Sequence, residues 1–207
     1  MMTKIGFLLL SGGRSKRMGS PKALIKLGGR TLLDTVAQAG EGFAQRILSA
    51  NDPCIPTPDG FVRCADEYPG CGPMAGIHAA LRKTCCDALV TAPCDAPYYC
   101  AELAQYLCTQ YEPGLDAVVL VDHTGREQPL CGVYSKRCLP ILEEHLAKGH
   151  FKMGWMLEQM DTKKVSLPQS LSEQVFENLN TQQELEQFRA RQAQPGMGAS
   201  GADCTKK

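Results

Sequence analysis

The chain has 207 residues, of which 43% are hydrophobic, 21% charged and 6% aromatic, enough apolar material for one sizeable core and too much for a disordered polymer. Lysine plus arginine equals aspartate plus glutamate at 22 each, and a net charge of zero argues against nucleic acid as a partner, because duplex binders carry a basic surplus. The first apolar run, residues 5–10, is far shorter than the roughly twenty residues of a membrane span, and no secretory leader pattern accompanies it; a soluble, cytoplasmic protein without a membrane partner is expected. The 11 cysteines include no C-x-x-C pair and no zinc-like spacing with His78, His123, His145 or His150. They read as reduced thiols that pack as small hydrophobes.

In chain order, residues 4–10 form a buried strand, followed by a Gly/Ser/basic loop to about residue 22. Thr31 caps a helix with Leu32, Leu33, Val36 and Ala37 on one face and Asp34 in its first turn. Residues 46–50 and 61–65 are short strands on either side of a Pro-rich connection. Gly72-Pro73 opens a helix with proline at its first position and Met74, Ile77 and Leu81 on one face. A strand over 87–92 leads to a helix over 99–110. Residues 116–121 and 129–134 flank a polar turn as a strand pair, 136–147 is helical, and 163–167 is a short strand. Thr181-Gln182-Gln183-Glu184 is a capping box that starts a last helix burying Leu185 and Phe188. The alternation predicts an α/β fold of three layers, a mostly parallel sheet with helices on both faces. One domain over residues 1–191 is expected, with a disordered tail over 192–207, where branched aliphatic and aromatic residues cease.

The loop after the first strand carries the strongest chemical signal. It reads Leu10-Ser11-Gly12-Gly13-Arg14-Ser15-Lys16-Arg17-Met18-Gly19-Ser20-Pro21-Lys22. In open α/β sheets, ligands bind beyond the carboxyl ends of the strands. Glycines let the backbone approach a ligand closely, and successive N–H groups can cradle an anion. One cation about 4 Å from a phosphate oxygen contributes ~4 kcal/mol of attraction at an effective dielectric of about 20. Two or three of the four cations here would hold a triphosphate on an uncharged protein. The spacing fits neither the P-loop nor the dinucleotide fingerprint.

This loop resembles the L-x-G-G-x-S-x-R-M-G-x-x-K signature of nucleotidyltransferases of the molybdenum cofactor guanylyltransferase type. Four further stretches resemble that family in its order: Asp66 with Gly72-Pro73-Met74-Ala75-Gly76-Ile77, then Pro93-Cys94-Asp95-Ala96-Pro97, then Gln128-Pro129-Leu130-Cys131-Gly132-Val133-Tyr134, then Asn178-Leu179-Asn180-Thr181 with Glu184. The resemblance runs from about residue 4 to residue 190. It implies a nucleotide-diphospho-sugar transferase fold and transfer of GMP from GTP to molybdopterin or molybdenum-molybdopterin, with release of diphosphate. It also implies molybdenum cofactor delivery and acceptor proteins as partners.

By the same resemblance, Lys22, Arg17 and Asp95 are the catalytic residues, and Asp95 holds Mg²⁺ and contacts GTP. Leu10, Ser11, Gly12, Gly13, Lys22, Asn51, Asp66 and Asp95 form the GTP site. Serine stands at 11 where alanine is more usual, and Ser49 stands where some relatives have asparagine. The chemistry agrees, since an ionised phosphate nucleophile requires alignment and charge neutralisation rather than a general base. Asp95 has a plainer reading as the cap of the following helix. Asn180 is either a second metal or substrate contact or a residue just outside the Thr181 cap. Cys94 reads as structural. Lys136, Arg137, Lys148 and Lys152 are candidates for an anionic pterin substrate or merely solvated, and Trp155 reads as core. The rival functions are cytidylyl or other nucleotidyl transfer to molybdopterin or a sugar or alditol phosphate, and a non-catalytic GTP sensor.

Overall fold

The computed structural model describes residues 3–12 and 21–192. The strands among them are β1 (Ile5–Leu10), β2 (Lys26–Leu27), β3 (Arg30–Thr31), β4 (Arg46–Ser49), β5 (Val62–Cys64), β6 (Ala88–Pro93), β7 (Ala117–Val121), β8 (Glu127–Ser135) and β9 (Thr162–Ser166). The α-helices are α1 (Leu32–Ala37), α2 (Pro73–Lys83), α3 (Ala101–Gln110), α4 (Leu139–Ala147), α5 (Met153–Leu157) and α6 (Gln182–Gln192). Seven strands form one sheet in the order β5-β4-β1-β6-β8-β7-β9, while β2 and β3 make a separate antiparallel hairpin. Within the sheet, β8 runs against its neighbours β6 and β7; the β1/β4, β1/β6, β4/β5 and β7/β9 pairs are parallel.

The apolar run of β1 has no polar alternation because both of its faces are covered, the usual state of a central parallel strand. Phe7 and Leu9 pack with Leu33 and Val36 of α1 and Leu103 and Leu107 of α3. Leu8 and Leu10 face the other way, onto Met74, Ile77 and Leu81 of α2 and Leu142 of α4. Three layers result, as the alternation of elements predicts. A third, smaller cluster joins Ile25, Leu32 and Tyr98 to Leu179, Leu185 and Phe188. It draws α6 and the segment before it across the chain towards the turn that follows β6.

The caps form as the sequence predicts. Thr31 and Asp34 make a reciprocal capping box on α1, and Pro73 occupies the first turn of α2 behind Gly72, whose φ of 73° suits glycine. Other expectations need correction. The N-cap of α3 is Cys100, so Asp95 does not cap that helix. Residues 136–138 form a 3-10 turn before α4. The short helix α5 and the two-residue strands β2 and β3 carry too few residues for a periodic signal. Trp155 is not core: it is 46% exposed, beside Phe151 at 43%. Gln192 still belongs to α6, and the rest of the expected tail lies outside the described residues. Nine cysteines are free thiols, as the composition suggests, but Cys100 is disulfide-bonded. No helix among the described residues is long and apolar enough to cross a membrane.

Gly132 of β8 sits where the β7/β8 register shifts between Val119 and Leu120. A Cβ there would lie 2.4 Å from the carbonyl oxygen of Val118, a backbone atom that can yield only by moving the strand. Gly132→Ala is therefore expected to cost about 2 kcal/mol, in the range of overpacked cores. For a chain of this size that lowers Tm by roughly 4–8 °C, measurable by calorimetry; an unchanged Tm would contradict the close approach.

Candidate active site

The chain leaves β1, passes outward through β4 and β5, and returns to β6 on the other side of β1. The strand order therefore reverses at β1, and a crevice outside the carboxyl ends of β1 and β6 is where such sheets take ligands. Backbone bonds extend the ladders past the strand ends and fix both exit loops: Ser11 N–H donates to the Ser49 carbonyl at 2.9 Å, and Cys94 N–H to the Leu10 carbonyl at 3.0 Å. A turn closed by Ala96 N–H on the Pro93 carbonyl, 3.2 Å, stiffened by Pro93 and Pro97, carries Asp95 at its crest.

Three segments distant in sequence converge there. Lys22, at the start of a 3-10 turn, places Nζ 3.3 Å from Asp95 Oδ2 and donates to Asn180 Oδ1 at 2.6 Å. The two charged side chains retain 20% and 24% exposure, so they are shielded enough to attract strongly and open enough to meet a ligand. Leu179 N–H donates to the Asp95 carbonyl at 2.8 Å, which ties the Asn180 segment to the Asp95 turn. Thr181 and Glu184 make the predicted reciprocal cap, Glu184 N–H to Thr181 Oγ1 at 3.2 Å and Thr181 N–H to Glu184 Oε2 at 2.9 Å.

On the other flank of β1, Asp66 is gripped by uncharged donors. Asn51 Nδ2 donates to Asp66 Oδ2 at 2.7 Å, Asp66 N–H returns to Asn51 Oδ1 at 2.8 Å, and Ser49 Oγ reaches Asp66 Oδ1 at 3.3 Å. The reciprocal pattern fixes which way the Asn51 amide faces. Gly76 explains the small residue inside the motif that opens α2. A Cβ at that position would lie 2.5 Å from Ser49 Oγ and 3.2 Å from Leu10 Cδ2, so glycine lets the first turn of the helix rest on the strand ends.

The structure thus gathers Lys22, Asp95 and Asn180 on the β6 side and Asn51 and Asp66 on the β4 side, with Ser11 buried and Gly12 exposed between them. Leu10 buries its side chain beneath α2. Gly13 and Arg17 lie outside the described residues. Ser49 belongs to the Asp66 group, although the sequence marks it only as a departure from relatives. Lys136 and Arg137 are not near this edge. Because β8 is antiparallel, its carboxyl end pairs Ser135 with Ala88 at the opposite edge. There Lys136 Nζ donates to the Thr84 carbonyl and Arg137 pairs with Asp116. Lys148 pairs with Glu144 of its own helix, and Lys152 lies over the Trp155 ring at 4.7 Å.

A MobA-like NTP transferase domain matches residues 7–163, most of the chain. The chain belongs to the MobA-like NTP transferase family. A molybdenum cofactor guanylyltransferase of Vibrio cholerae is 34% identical to this transferase over 188 residues, covering 89% of this chain and 91% of that one. The crystal structure of molybdopterin-guanine dinucleotide biosynthesis protein A from Archaeoglobus fulgidus superposes with a TM-score of 0.76 at 25% identity, covering 90% and 97% of the two chains. A 2-C-methyl-D-erythritol 4-phosphate cytidylyltransferase of Thermus thermophilus shares the fold alone, with a TM-score of 0.65 at 16% identity over 89% and 97% of the two chains.

Cys94 adjoins the site but is unsuited to nucleophilic work. Burial, and secondarily the charge of Asp95, push its thiol up to about 12, with only partial relief from a hydrogen bond to Ser11, so the thiolate is scarce near neutral pH. Iodoacetamide at pH 8 is expected to label the exposed Cys54 and Cys85 and to spare Cys94. Cys94→Ala should keep at least half of wild-type turnover. Labelling of Cys94 at a rate matching Cys85, or loss of turnover in the folded alanine variant, would restore a chemical role for the thiol.

Proposed function

We propose that this transferase moves the GMP moiety of GTP onto the phosphate of molybdopterin or molybdenum-molybdopterin, forming the guanine dinucleotide cofactor and releasing diphosphate. The observation that carries the reading is the convergence of Lys22, Asp95 and Asn180 at the strand-order reversal of a MobA-like fold. An oxygen of the acceptor phosphate forms a bond to the α-phosphorus of GTP, and the bond from that phosphorus to the α,β-bridging oxygen breaks. The electron pair leaves with diphosphate. The nucleophile is already ionised, so the protein's work is to align two anions and to neutralise charge at the reacting phosphorus.

Lys22 supplies a mobile positive charge for the nucleotide phosphates, with Arg17 assisting. Ser11, Gly12 and Gly13 meet the nucleotide through the backbone beyond Leu10. Asp66, held by Asn51 and Ser49, presents a carboxylate edge suited to the hydroxyl or amino donors of a nucleoside. Asp95 and Asn180 offer hard oxygen donors to a cation, and among the described residues no group of three or more His, Cys, Asp or Glu stands ready to cage a metal. That donor set fits Mg²⁺, which takes one or two carboxylates and fills the remainder with phosphate and water oxygens. Asp95 would hold it, and the ion would supply charge neutralisation at the phosphates. The Lys22 ammonium lies 3.3 Å from the Asp95 carboxylate, so the phosphate-binding cation and the metal-holding group adjoin. Proteins that deliver molybdopterin or accept the finished cofactor are the partners this reaction calls for.

Diphosphate release with Mg²⁺ and molybdopterin, compared for GTP, CTP, ATP and UTP, tests both the reaction and the base. Turnover with GTP alone is expected. Turnover with CTP instead would keep the mechanism and replace the base, and tight GTP binding without turnover would favour a sensor. Asp95→Ala should lower turnover about a thousandfold, the equivalent of ~4 kcal/mol of lost transition-state stabilisation. A variant retaining more than about a tenth of wild-type activity would rule out Asp95 as the metal-holding carboxylate.

A further inference from the structure

We infer that Glu184 is a positioning residue for the nucleotide phosphates, acting through Asn180 on Lys22; this rests on the reading of Lys22 as the phosphate contact. In an ordinary capping box, the carboxylate three residues into the helix returns to the N–H of the capping residue and does no more. Glu184 makes that bond, to Thr181 N–H at 2.9 Å, and a second, shorter one to Asn180 N–H at 2.6 Å. The second bond lies outside the reciprocal Thr181–Glu184 pair that makes the capping box. Its effect falls on the residue whose side-chain oxygen receives Lys22 Nζ at 2.6 Å.

The surroundings make this bond decisive. Asn180 is exposed, so no packing fixes it, whereas its neighbour Leu179 is buried in the cluster with Leu185 and Phe188. Three successive backbone N–H groups are anchored on functional side chains or on the loop that bears one: Leu179 on the Asp95 carbonyl, and Asn180 and Thr181 on Glu184. The Asn180 side chain is thereby held between the Asp95 turn and the first turn of α6. The Asn180 N–H is also the main cause that holds the Glu184 carboxyl below its usual range, and the Lys22 charge lowers it further. The shift favours the ionised carboxylate of Glu184. Hydrogen bonds to an ionised acceptor are shorter and stronger than neutral ones, so Glu184 is better fitted to this task than a neutral cap residue.

The test compares steady-state diphosphate release and Tm for the full chain and six variants. Glu184→Ala is expected to lower kcat/KM for GTP about tenfold, the order expected when one hydrogen bond in a positioning chain is lost. Glu184→Gln, which keeps an acceptor oxygen, should recover most of that loss. Thr181→Ala breaks the helix cap but leaves the Glu184–Asn180 bond; it should lower Tm as much as Glu184→Ala does while keeping kcat/KM within about twofold of wild type. If Glu184 works through Asn180, the Glu184→Ala/Asn180→Ala double variant should be no slower than Asn180→Ala alone. Multiplying losses in that cycle would overturn the inference. So would wild-type kcat/KM in Glu184→Ala alongside crippled Lys22→Ala and Asn180→Ala variants, or a loss in Thr181→Ala equal to that in Glu184→Ala. Wild-type kcat/KM in Lys22→Ala would instead locate the failure in the phosphate-contact reading, and the inference would fall with it.

Discussion

The parallel pairing of β1 with β4 and β6 is the constraint on which the rest of the molecule depends. It buries a six-residue apolar strand on both faces, and the helices must then divide between the two sides of the sheet to cover it. Parallel pairing also brings the carboxyl ends of β1, β4, β5 and β6 to one edge. Ser11, Asn51, Asp66 and Asp95 each stand within two residues of such an end. A strand order that reversed elsewhere would scatter Ser11, Asp66 and Asp95 along the rim. Here β1 stands between its two partners and the groups gather around it.

The C-terminal segment is recruited by a different force. It adds no strand to the sheet; Leu179, Leu185 and Phe188 bury themselves against Ile25, Leu32 and Tyr98. Each buried side chain of this kind contributes roughly 1.5–3 kcal/mol relative to exposure, ample to hold a segment that hydrogen bonds alone would not. Tyr98 stands three residues after Asp95, and the Tyr98–Phe188 ring pair, 5.4 Å between centroids, ties the last helix to the turn that carries the carboxylate. Apolar burial does the coarse placement of Asn180. The backbone bonds to Asp95 and Glu184 do the fine placement.

The layers were legible in the sequence because long, strongly patterned elements announce themselves: the uninterrupted β1, the Thr31 cap, the proline that opens α2, the capping box of α6. The convergence of Lys22 with Asp95 and Asn180 was legible only through the likeness of whole motifs to a family, since nothing in local periodicity links residues 73 and 158 positions apart. As a bare residue Asp66 reads as an ordinary solvated carboxylate, and only the neighbouring Gly72-Pro73-Met74-Ala75-Gly76-Ile77 marks it; its bonds to Asn51 and Ser49 are visible only in the fold. Glu184 read as a helix cap and nothing more, because the bond to Asn180 depends on the backbone entering the helix at one particular angle. For Lys136 and Arg137 the sequence leaves a pterin contact and a solvated face open, because a count of cations carries no strand direction; the antiparallel course of β8 sends them to the edge opposite Asp95. Trp155 misled because aromatic residues are usually buried, and the five-residue helix that carries it is too short to bury a full face.

A chain with no net charge must still hold a triphosphate, and the arrangement around β1 indicates how. Among the described residues, the carboxylate on the β4 side is hydrogen-bonded by an amide and a hydroxyl, whereas the carboxylate on the β6 side is paired with Lys22. The two flanks of one strand end therefore differ in the partners of their carboxylates although each carries one aspartate. On the proposed function, the polarity of nucleotide binding would come from where the partners of these two carboxylates stand rather than from any surplus of positive charge. On the same reading, the anchoring of Lys22 by Asp95 and Asn180 is what keeps a cation at the β6 flank.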